Sequence, residues 1–301
     1  MADQIFSEKQ SSVNTLSTAW NLYAKLVLSS ASDKAQGTEE GRYRTYLEPC
    51  LGNTPLSDIK NLQIALLRQN LESRNLSPQT VYHCLSLLRR VLRRAIEWEL
   101  YPGPIPVFRM PKFDNKRIRY LSKDEAAKLL ANLKASSKLW HDITIFALNT
   151  GLRAGEIFKI TLNDINFIDL SVHIKDTKSN KNRVVPLNKQ ALKVLLDNSR
   201  DGDKERPIFN ININATQTRP FKKAVEKCGF NNGVVDRRER VVFHTLRHTF
   251  ASWLVQKDVP IVIVSQLLGH SDLRMTMRYS HLAPNAAKSA VDTYLPEFET
   301  A

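Results

Sequence analysis

The segment from Tyr101 to Pro111 constrains the fold most, because it holds four prolines and one glycine within eleven residues. A proline lacks the backbone N–H that a helix needs, and its ring fixes φ, so a helix cannot run through this segment. The chain has 301 residues, which is enough for about two domains. The proline-rich segment therefore predicts an extended connector between two separately folded parts.

This connector is basic, and so is the whole chain. From residue 106 to residue 121 the five basic residues are Arg109, Lys112, Lys116, Arg117 and Arg119, against the single acid Asp114. The formal net charge of the chain is +14, which points to a polyanionic partner, with nucleic acid as the first candidate. A basic connector can follow a backbone of phosphates around a duplex, so Arg117 and Arg119 are predicted DNA contacts.

A helix is predicted before the connector, over "SPQTVYHCLSLLRRVLRRAIEWEL". Ser77 can cap it, Pro78 suits its first turn, and its apolar stripe is Val81, Leu85, Leu88, Leu92 and Ile96. The opposite face carries Arg89, Arg90, Arg93 and Arg94. Such a face is either simply solvated or in contact with phosphates. The second interpretation is favoured, because closely spaced arginines with few acids nearby repel one another unless an anion lies across them.

The chain after the connector reads as a second domain that is mainly helical with a small β-sheet. Ser122 and Glu125 have the spacing of a capping box, which predicts the start of a helix. A further helix ends at Gly151, and the alternation in "SVHIKDTKSNKNRVVPL" predicts a β-hairpin. The predicted organisation is a tail over residues 1–15, a helical domain over 16–104, a basic linker over 105–118 and a second domain over 119–301.

The cysteines and the hydropathy exclude several classes of protein. Cys50, Cys84 and Cys228 are too few and too scattered for a disulfide framework or a cysteine-rich zinc site. No stretch approaches the roughly 18 uninterrupted apolar residues of a membrane helix, and the first residues lack the order of a secretory signal. We therefore expect a cytoplasmic protein, associated with the nucleoid if it binds DNA, with no membrane partner.

Two short stretches carry candidate residues that are ambiguous when taken alone. In "NTGLRAGEIFKI", Arg153 precedes Glu156 by one helical turn, so the two side chains either form a surface pair or belong to a site. In "TKSNKNR", Lys178 lies on a polar turn, where a lysine is usually only solvated. The same ammonium can act as a compact proton donor if the turn reaches into a cleft.

The stretch "HTLRHTF" places His244 and Arg247 on one face of a helix, with His248 four residues after His244. Two histidines at this spacing suggest zinc. The zincin pattern, however, requires a glutamate directly after the first histidine, where this chain has Thr245, so no metal is predicted. The alternative for His248 is a structural role, hydrogen-bonded inside the fold.

In "GHSDLRMTMRYSH", Gly269 is predicted to end a helix, which leaves His270 and Tyr279 in the segment that follows. A buried structural tyrosine is the ordinary alternative. Taken together, the two arginines, the lysine, the two histidines and the tyrosine suit one reaction at a phosphodiester. Guanidinium groups bind phosphate oxygens bidentately, and tyrosine can form a covalent phosphoryl intermediate without ATP, a metal or a cofactor.

The order and spacing of these motifs resemble the tyrosine recombinase (phage integrase) family, most specifically in "TGLRAGEI", "HTLRHTFASWL" and "LLGHSDLRMTMRYSHL". The resemblance implies a helical core-binding (SAM-like) domain, followed by a catalytic domain that ends in a C-terminal helix. The implied catalytic residues are Arg153, Lys178, His244, Arg247, His270 and Tyr279, supported by Glu156. Lys181 is the alternative to Lys178.

The resemblance also implies a mechanism. Tyr279 attacks the scissile phosphate and leaves a 3′-phosphotyrosyl bond and a free 5′-hydroxyl, which attacks the phosphotyrosine of the partner strand. The nonbridging oxygens are held by Arg153, Arg247 and His270. Lys178 protonates the departing oxygen, and His244 assists proton transfer involving the tyrosine. Glu156 orients Arg153 or its neighbours.

The implied partners are double-stranded DNA with specific recombination sites, three further copies of the chain and accessory DNA-bending proteins. The tetramer works on two duplexes through a Holliday junction, and subunits exchange a C-terminal segment. Residues 285–298 have helical apolar spacing and suit packing on their own domain or on a neighbour. The alternatives to a recombinase are a type IB topoisomerase, a resolvase acting on a single site, and a non-catalytic DNA-binding accessory protein.

Overall fold

The computed structural model describes residues 14–113, 119–175, 182–199, 203–211 and 218–283. The chain divides into two compact units, Met1–Asn115 and Lys116–Ala301. The division falls inside the predicted linker. Within the described ranges no helix is long and apolar enough to cross a membrane, and all three cysteines are free thiols.

The first unit is helical. Its α-helices are α1 (Leu16–Leu26), α2 (Asp33–Arg42), α3 (Glu48–Leu51), α4 (Asn61–Ser73) and α5 (Pro78–Glu97). A π-helical turn spans Tyr43–Leu47, and short 3-10 turns span Leu28–Ser30 and Leu56–Asp58. Helix α5 begins as predicted, since the Ser77 hydroxyl accepts a hydrogen bond from the backbone N–H of Thr80 and proline occupies the first turn. Its predicted apolar stripe is buried up to Leu92 and half-buried at Ile96.

Two of the four arginines on α5 have acidic partners. Arg90 forms an ion pair with Glu39 of α2, and its Nε donates to the hydroxyl of Tyr23 at 3.3 Å. Arg94 pairs with Glu97 one turn further along α5. In the part of the chain that the structure describes, no ion pair is made by Arg89 and Arg93. The sequence analysis counted few acids near these arginines and did not count Glu39, because Glu39 comes from a helix that is distant in sequence.

Because Arg90 and Arg94 have acidic partners, Arg89 and Arg93 are predicted to contribute more to phosphate binding. Replacement of Arg89 and Arg93 together by alanine should flatten the dependence of log Kd on log salt concentration by about two, since each phosphate contact contributes roughly 0.9 to the slope. The double variant of Arg90 and Arg94 should change the slope less, because those guanidinium groups are already partly neutralised. Fluorescence titration with duplex DNA at several salt concentrations measures both slopes. An unchanged slope in the fourfold alanine variant would show that the face is only solvated.

Residues 105–113 of the predicted linker form neither a helix nor a strand, and they belong to the first unit. Tyr101 is buried in the core of that unit. Phe108 and Met110 are partly buried and pack against the same core. The backbone N–H of Val107 donates to Asn61 Oδ1 of α4 at 2.8 Å. The carbonyl of Arg109 accepts from Arg68 Nη1, also at 2.8 Å. Residues 107–109 are therefore attached to helix α4.

The other two predicted DNA contacts are Arg117, in the second half of the linker, and Arg119, directly after its end. Arg117 lies outside the described residues. Arg119 donates from both terminal nitrogens to Glu125, with one N–O distance of 2.9 Å, and the same carboxylate completes the predicted capping box with Ser122. The guanidinium of Arg119 therefore stabilises the start of a helix, while its contact with DNA stays a prediction.

The second unit is mainly helical with a small sheet, as predicted. Its helices are α6 (Lys123–Ser136), α7 (Lys138–Thr150), α8 (Ala154–Ile157), α9 (Lys189–Asn198), α10 (Arg219–Lys227), α11 (Phe243–Val255) and α12 (Ile261–Leu268). Further 3-10 helices span Leu162–Asp164, Leu273–Met275 and Met277–Leu282. The strands are β1 (Ile165–Asn166), β2 (Ser171–Ile174) and β3 (Arg183–Pro186).

The three strands form an antiparallel sheet in the order β1, β2, β3. The predicted hairpin is confirmed by the pairing of Val172 with Val185 across β2 and β3. Strand β1 was not predicted, because two residues are too few to show a period of alternation.

Helix α11 carries an unusual set of buried polar residues, namely Thr245, Arg247, His248, Thr249 and Ser252. Two neighbouring helices end close to it. Gly151 ends α7 and Gly269 ends α12, each with a left-handed φ of 64°, so both predicted glycine stops are confirmed. These glycines direct the chain into the segments that carry Arg153 and His270.

Candidate active site

Arg247 lies at the centre of the polar cluster and is only 4% exposed. Its Nη1 donates to the carbonyl of Gly151 at 2.9 Å, and its Nη2 donates to the carbonyl of Leu268 at 2.7 Å. Both carbonyls belong to the C-terminal ends of helices, α7 and α12, where the helix dipole concentrates negative partial charge. Two helix ends therefore hold one buried guanidinium in a fixed orientation.

The buried charge of Arg247 is held at an energetic cost. Burial and the nearby positive charge of Arg153 lower the pKa of Arg247 to about 9, although the carboxylate of Glu156 opposes that shift. At neutral pH the guanidinium is still charged. An anion placed between Arg247 and Arg153 would relieve their repulsion, so the site favours an anionic ligand.

Glu156 joins two arginines. Its carboxylate accepts from the backbone N–H of Arg153 at 2.8 Å and from Arg153 Nη1 at 3.0 Å. It also accepts a bidentate pair from Arg183 of β3, at 3.0 and 2.7 Å. Burial alone would raise the pKa of Glu156, but the hydrogen bonds from Arg183 and Arg153 lower it overall. The carboxylate therefore stays ionised and fixes both guanidinium groups.

Arg183 was missed by the sequence analysis. Its only signal was a basic residue at the start of the second hairpin strand, in "NRVVP", and such a residue is usually exposed. The structure buries it to 12% side-chain exposure against Glu156. A methyl group on Gly269 would lie 2.7 Å from Arg183 Cδ, so the close approach of these two elements depends on glycine.

We therefore expect Gly269→Ala to destabilise the protein by about 1 to 2 kcal/mol, because alanine is strained in the left-handed region and would also displace Arg183. The midpoint of thermal unfolding should fall by several degrees. Gly155→Ala is the matched control, since a methyl group there meets no atom within 4 Å. Equal midpoints for the two variants would show that Arg183 and the backbone of residue 269 adjust without strain.

His270 lies beside these arginines. Its Nδ1 is 2.7 Å from the hydroxyl of Thr276, which is fully buried. Burial, together with the positive charges of Arg247 and Arg153, lowers the pKa of His270 to about 4. The imidazole is therefore neutral at physiological pH. A threonine hydroxyl that donates to Nδ1 leaves the proton on Nε2, which makes that nitrogen a donor for a phosphate oxygen.

The lowered pKa predicts that His270 stays neutral between pH 5 and pH 8 in the DNA-free protein. The protonated ring is disfavoured in the folded state, so this contribution to stability is complete above the ordinary pKa of 6.5 and is lost as the pH falls toward 4. A histidine NMR titration, with the signal assigned from a His270→Gln variant, measures the midpoint. A midpoint near 6.5 would contradict the expected burial among arginines.

Tyr279 lies in the 3-10 helix Met277–Leu282 and is 6% exposed. Its ring belongs to a small apolar cluster with Ala251, Val255, Val264 and Leu268. The phenolic hydroxyl is 2.5 Å from Nδ1 of His248. Burial raises the pKa of Tyr279, while Arg278 and Arg247 oppose the rise, so the phenol is neutral at physiological pH.

The two histidines of α11 differ in their surroundings. His248 is buried and contacts the tyrosine, whereas His244 is exposed one turn earlier. Their rings meet edge to face, with 4.8 Å between centroids. Sequence reasoning gave His248 no catalytic role and left a structural role as an alternative. Its spacing of four residues from His244 was the signal that placed the two histidines close together on the helix. In the described ranges no group of three potential ligands suits a metal ion.

The structure thus brings together most of the predicted residues. The charges of Arg153 and Arg183 act on both Arg247 and His270. Glu156 and the phenol of Tyr279 also act on Arg247. Arg278 also acts on His270. Lys178 and its alternative Lys181 lie outside the described residues. The cluster can bind an anion that has several oxygens and present a phenolic oxygen beside it.

A family profile described as the phage integrase family matches residues 119–286. The chain belongs to the phage integrase family. The match covers more than half of the chain and contains every predicted catalytic residue. The resemblance inferred from the motifs is therefore confirmed.

Individual relatives agree with this assignment. The integrase of Salmonella phage P22 is 33% identical over 212 residues, which cover 67% of this chain and 53% of that protein. The tyrosine recombinase of Thermosipho africanus is 26% identical over 267 residues, which cover 86% of this chain and 91% of that protein. The chain therefore spans about half the length of the phage P22 relative and about nine-tenths of the second.

Solved structures share the fold. The Tn1549 transposon integrase in complex with circular intermediate DNA superposes with a TM-score of 0.72 at 18% identity, covering 92% of this chain and 99% of that one. A lambda integrase dimer bound to a COC′ core site gives a TM-score of 0.73 at 20% identity, covering 92% and 83%. The predicted fold class is confirmed by these matches, in agreement with the helices and small sheet described above.

Proposed function

We propose that this member of the phage integrase family is a site-specific DNA recombinase that cuts and rejoins strands through a 3′-phosphotyrosyl bond on Tyr279. The observation that carries the proposal is the convergence of a buried phenol, the fixed guanidinium of Arg247 and the neutral imidazole of His270. No ATP or metal is required, because the phosphotyrosyl bond conserves the energy of the phosphodiester that it replaces.

The arginines and His270 suit a phosphate that gains negative charge in the transition state. Arg247 is oriented by two helix ends before any ligand arrives, so it need not reorganise during the reaction. Arg153 is oriented by Glu156, and Glu156 is held in turn by Arg183. We assign Arg153, Arg247 and the Nε2–H of His270 to the nonbridging oxygens.

The strand transfer then follows from the chemistry of the phenol. The oxygen of Tyr279 forms a bond to phosphorus, and the bond from phosphorus to the 5′-oxygen breaks. We assign protonation of that oxygen to Lys178, with Lys181 as the alternative, from the sequence alone. In the reverse step the 5′-hydroxyl of the partner strand attacks the phosphotyrosine, which restores the phosphodiester and the free phenol.

The assembly is proposed by analogy. A lambda integrase tetramer bound to a Holliday junction also matches this chain, with a TM-score of 0.72 at 21% identity. We propose that this chain likewise acts as a tetramer on two duplexes, with the arginine face of α5 on the DNA. Accessory DNA-bending proteins, association with the nucleoid and the placement of the C-terminal helix stay predictions, and residues 284–301 lie outside the described residues.

The experiment that tests the function traps the covalent intermediate. The protein is incubated with a library of nicked DNA, resolved on a denaturing gel, and the DNA in any adduct is sequenced. We expect a protease-sensitive adduct enriched in one sequence, with the nucleotide attached to Tyr279 in mass spectra. Adduct yield should be unchanged by EDTA, and a strict need for a divalent ion would overturn the metal-free mechanism.

The alternatives give different results in the same system. A DNA-binding accessory protein would retard DNA on a native gel and form no adduct. A type IB topoisomerase would relax supercoiled DNA that lacks the enriched sequence. A recombinase should join two DNA molecules only when both contain that sequence.

A further inference from the structure

The geometry points to His248, rather than His244, as the catalytic residue that accepts the proton of Tyr279 during DNA cleavage. The inference rests on the proposed function and assigns a residue that the motif comparison left without a role. The decisive contact is between Nδ1 of His248 and the phenolic oxygen of Tyr279, which are 2.5 Å apart.

This contact joins an imidazole directly to the proposed nucleophile. Both residues are 6% exposed, so the hydrogen bond lies away from bulk solvent. A general base must lie within hydrogen-bond reach of the proton that it removes, and His248 already meets this requirement without DNA. Burial raises the pKa of Tyr279, so the phenol keeps its proton at physiological pH and needs an acceptor when it attacks.

His244 lies in a different environment. It is exposed on the first turn of α11, and its ring packs edge to face against the ring of His248 rather than holding the phenolic hydrogen bond. Among the described residues, Arg278 beside Tyr279 and Arg247 on α11 carry positive charges that act on the phenol. These positive charges favour the phenolate, which makes removal of the proton easier.

The step balances as follows. The proton of the phenol moves to Nδ1 of His248 while the phenolic oxygen bonds to phosphorus. The 5′-oxygen leaves with its bonding electrons and takes a proton from the hairpin lysine. When the 5′-hydroxyl later attacks the phosphotyrosine, its proton returns to the lysine, and the departing phenolic oxygen recovers its own proton from the imidazolium of His248. No oxidant, metal or other reactant is consumed.

His248→Asn tests the assignment, because the asparagine oxygen can accept the hydrogen bond of the phenol but cannot take its proton. The measurement is the single-turnover rate of adduct formation on a nicked duplex carrying the trapped sequence, from pH 5 to pH 8. We expect the rate to fall by about 100-fold or more, with DNA affinity unchanged. In the native protein the rate should fall in acid as the imidazole becomes protonated, and the variant should lose this dependence.

His141→Asn is the matched control. This histidine is partly buried on α7 and its Nδ1 contacts the carboxylate of Asp142 at 3.0 Å, so the substitution also removes an imidazole that has a side-chain partner. The control should keep the native rate and pH profile. Incorporation of a fluorinated, more acidic tyrosine at position 279 should restore about tenfold of the rate lost in His248→Asn, because a phenol that ionises readily needs less help from a base.

Several outcomes would overturn the assignment. If His248→Asn reacted at the native rate, or kept the native decrease in rate in acid, His248 would not be the proton acceptor. A faster rate would show that the contact restrains the tyrosine. Loss of the acid dependence in His244→Asn alone, or no rescue by fluorotyrosine in a folded His248→Asn protein, would also contradict it. Failure of the proposed function is distinguishable, because the native protein would then form no adduct at all.

Discussion

Replacement of Tyr279 by phenylalanine is expected to abolish the covalent adduct, a loss of at least about 10⁴-fold, as removal of a nucleophile does in other covalent catalysts. The fold should survive, because the phenylalanine ring can occupy the same apolar cluster beside Val255 and Leu268. The variant loses one buried hydrogen bond, to His248, which contributes about 1 kcal/mol to stability. A denaturing gel measures the adduct, and a native gel measures DNA binding.

Tyr101→Phe is the control for this experiment. Tyr101 is 8% exposed, and its hydroxyl donates one hydrogen bond, to the carbonyl of Pro104 at 3.2 Å. The control therefore loses a comparable hydrogen bond from a buried tyrosine that has no part in the chemistry, and its adduct yield should be native. An adduct that persists in Tyr279→Phe would transfer the nucleophilic role to another residue.

Replacement of Arg247 by lysine is expected to slow cleavage by about 10² to 10³-fold, as loss of an oriented electrostatic donor does in other active sites. One ammonium cannot reach the carbonyls of Gly151 and Leu268 as the planar guanidinium does and also bind two phosphate oxygens. A buried carbonyl left without its donor should lower stability by about 1 to 3 kcal/mol. Single-turnover cleavage and urea unfolding measure the two effects separately.

Arg206→Lys supplies the comparison for the second prediction, because it changes an exposed arginine of the same unit. Its cleavage rate and stability should be native. Cleavage by Arg247→Lys within a few fold of the native rate would contradict the prediction, since charge alone would then suffice and the orientation imposed by the two helix ends would be irrelevant.

Local signals in the sequence predicted where elements begin and end. Ser122 and Glu125 form the expected capping box, and Gly151 and Gly269 end helices in the left-handed conformation. These features depend on a few neighbouring residues, so the information lies within one short stretch of chain. Strand β1 lacked such a signal, because two residues cannot establish a period.

The choice of partners depended on the fold. Glu156 and Arg183 are 27 residues apart, and Arg90 and Glu39 are 51 residues apart. An ion pair of this kind has no spacing rule, because its geometry is set by how separate helices and strands pack. The sequence analysis therefore recognised Glu156 as a supporting residue and missed Arg183, and it did not identify Glu39 as the partner of Arg90.

The sequence by itself determined the family, the mainly helical fold with a small sheet, and the set of candidate residues, because these follow from motifs, periodicity and the chemistry of side chains. Only the tertiary structure decided that Arg247 is held by the ends of two helices and that His248 contacts Tyr279 across 31 residues. The physical reason is that hydrogen bonds and burial act over a few ångströms in space, whereas separation along the chain does not specify which side chains come within that range.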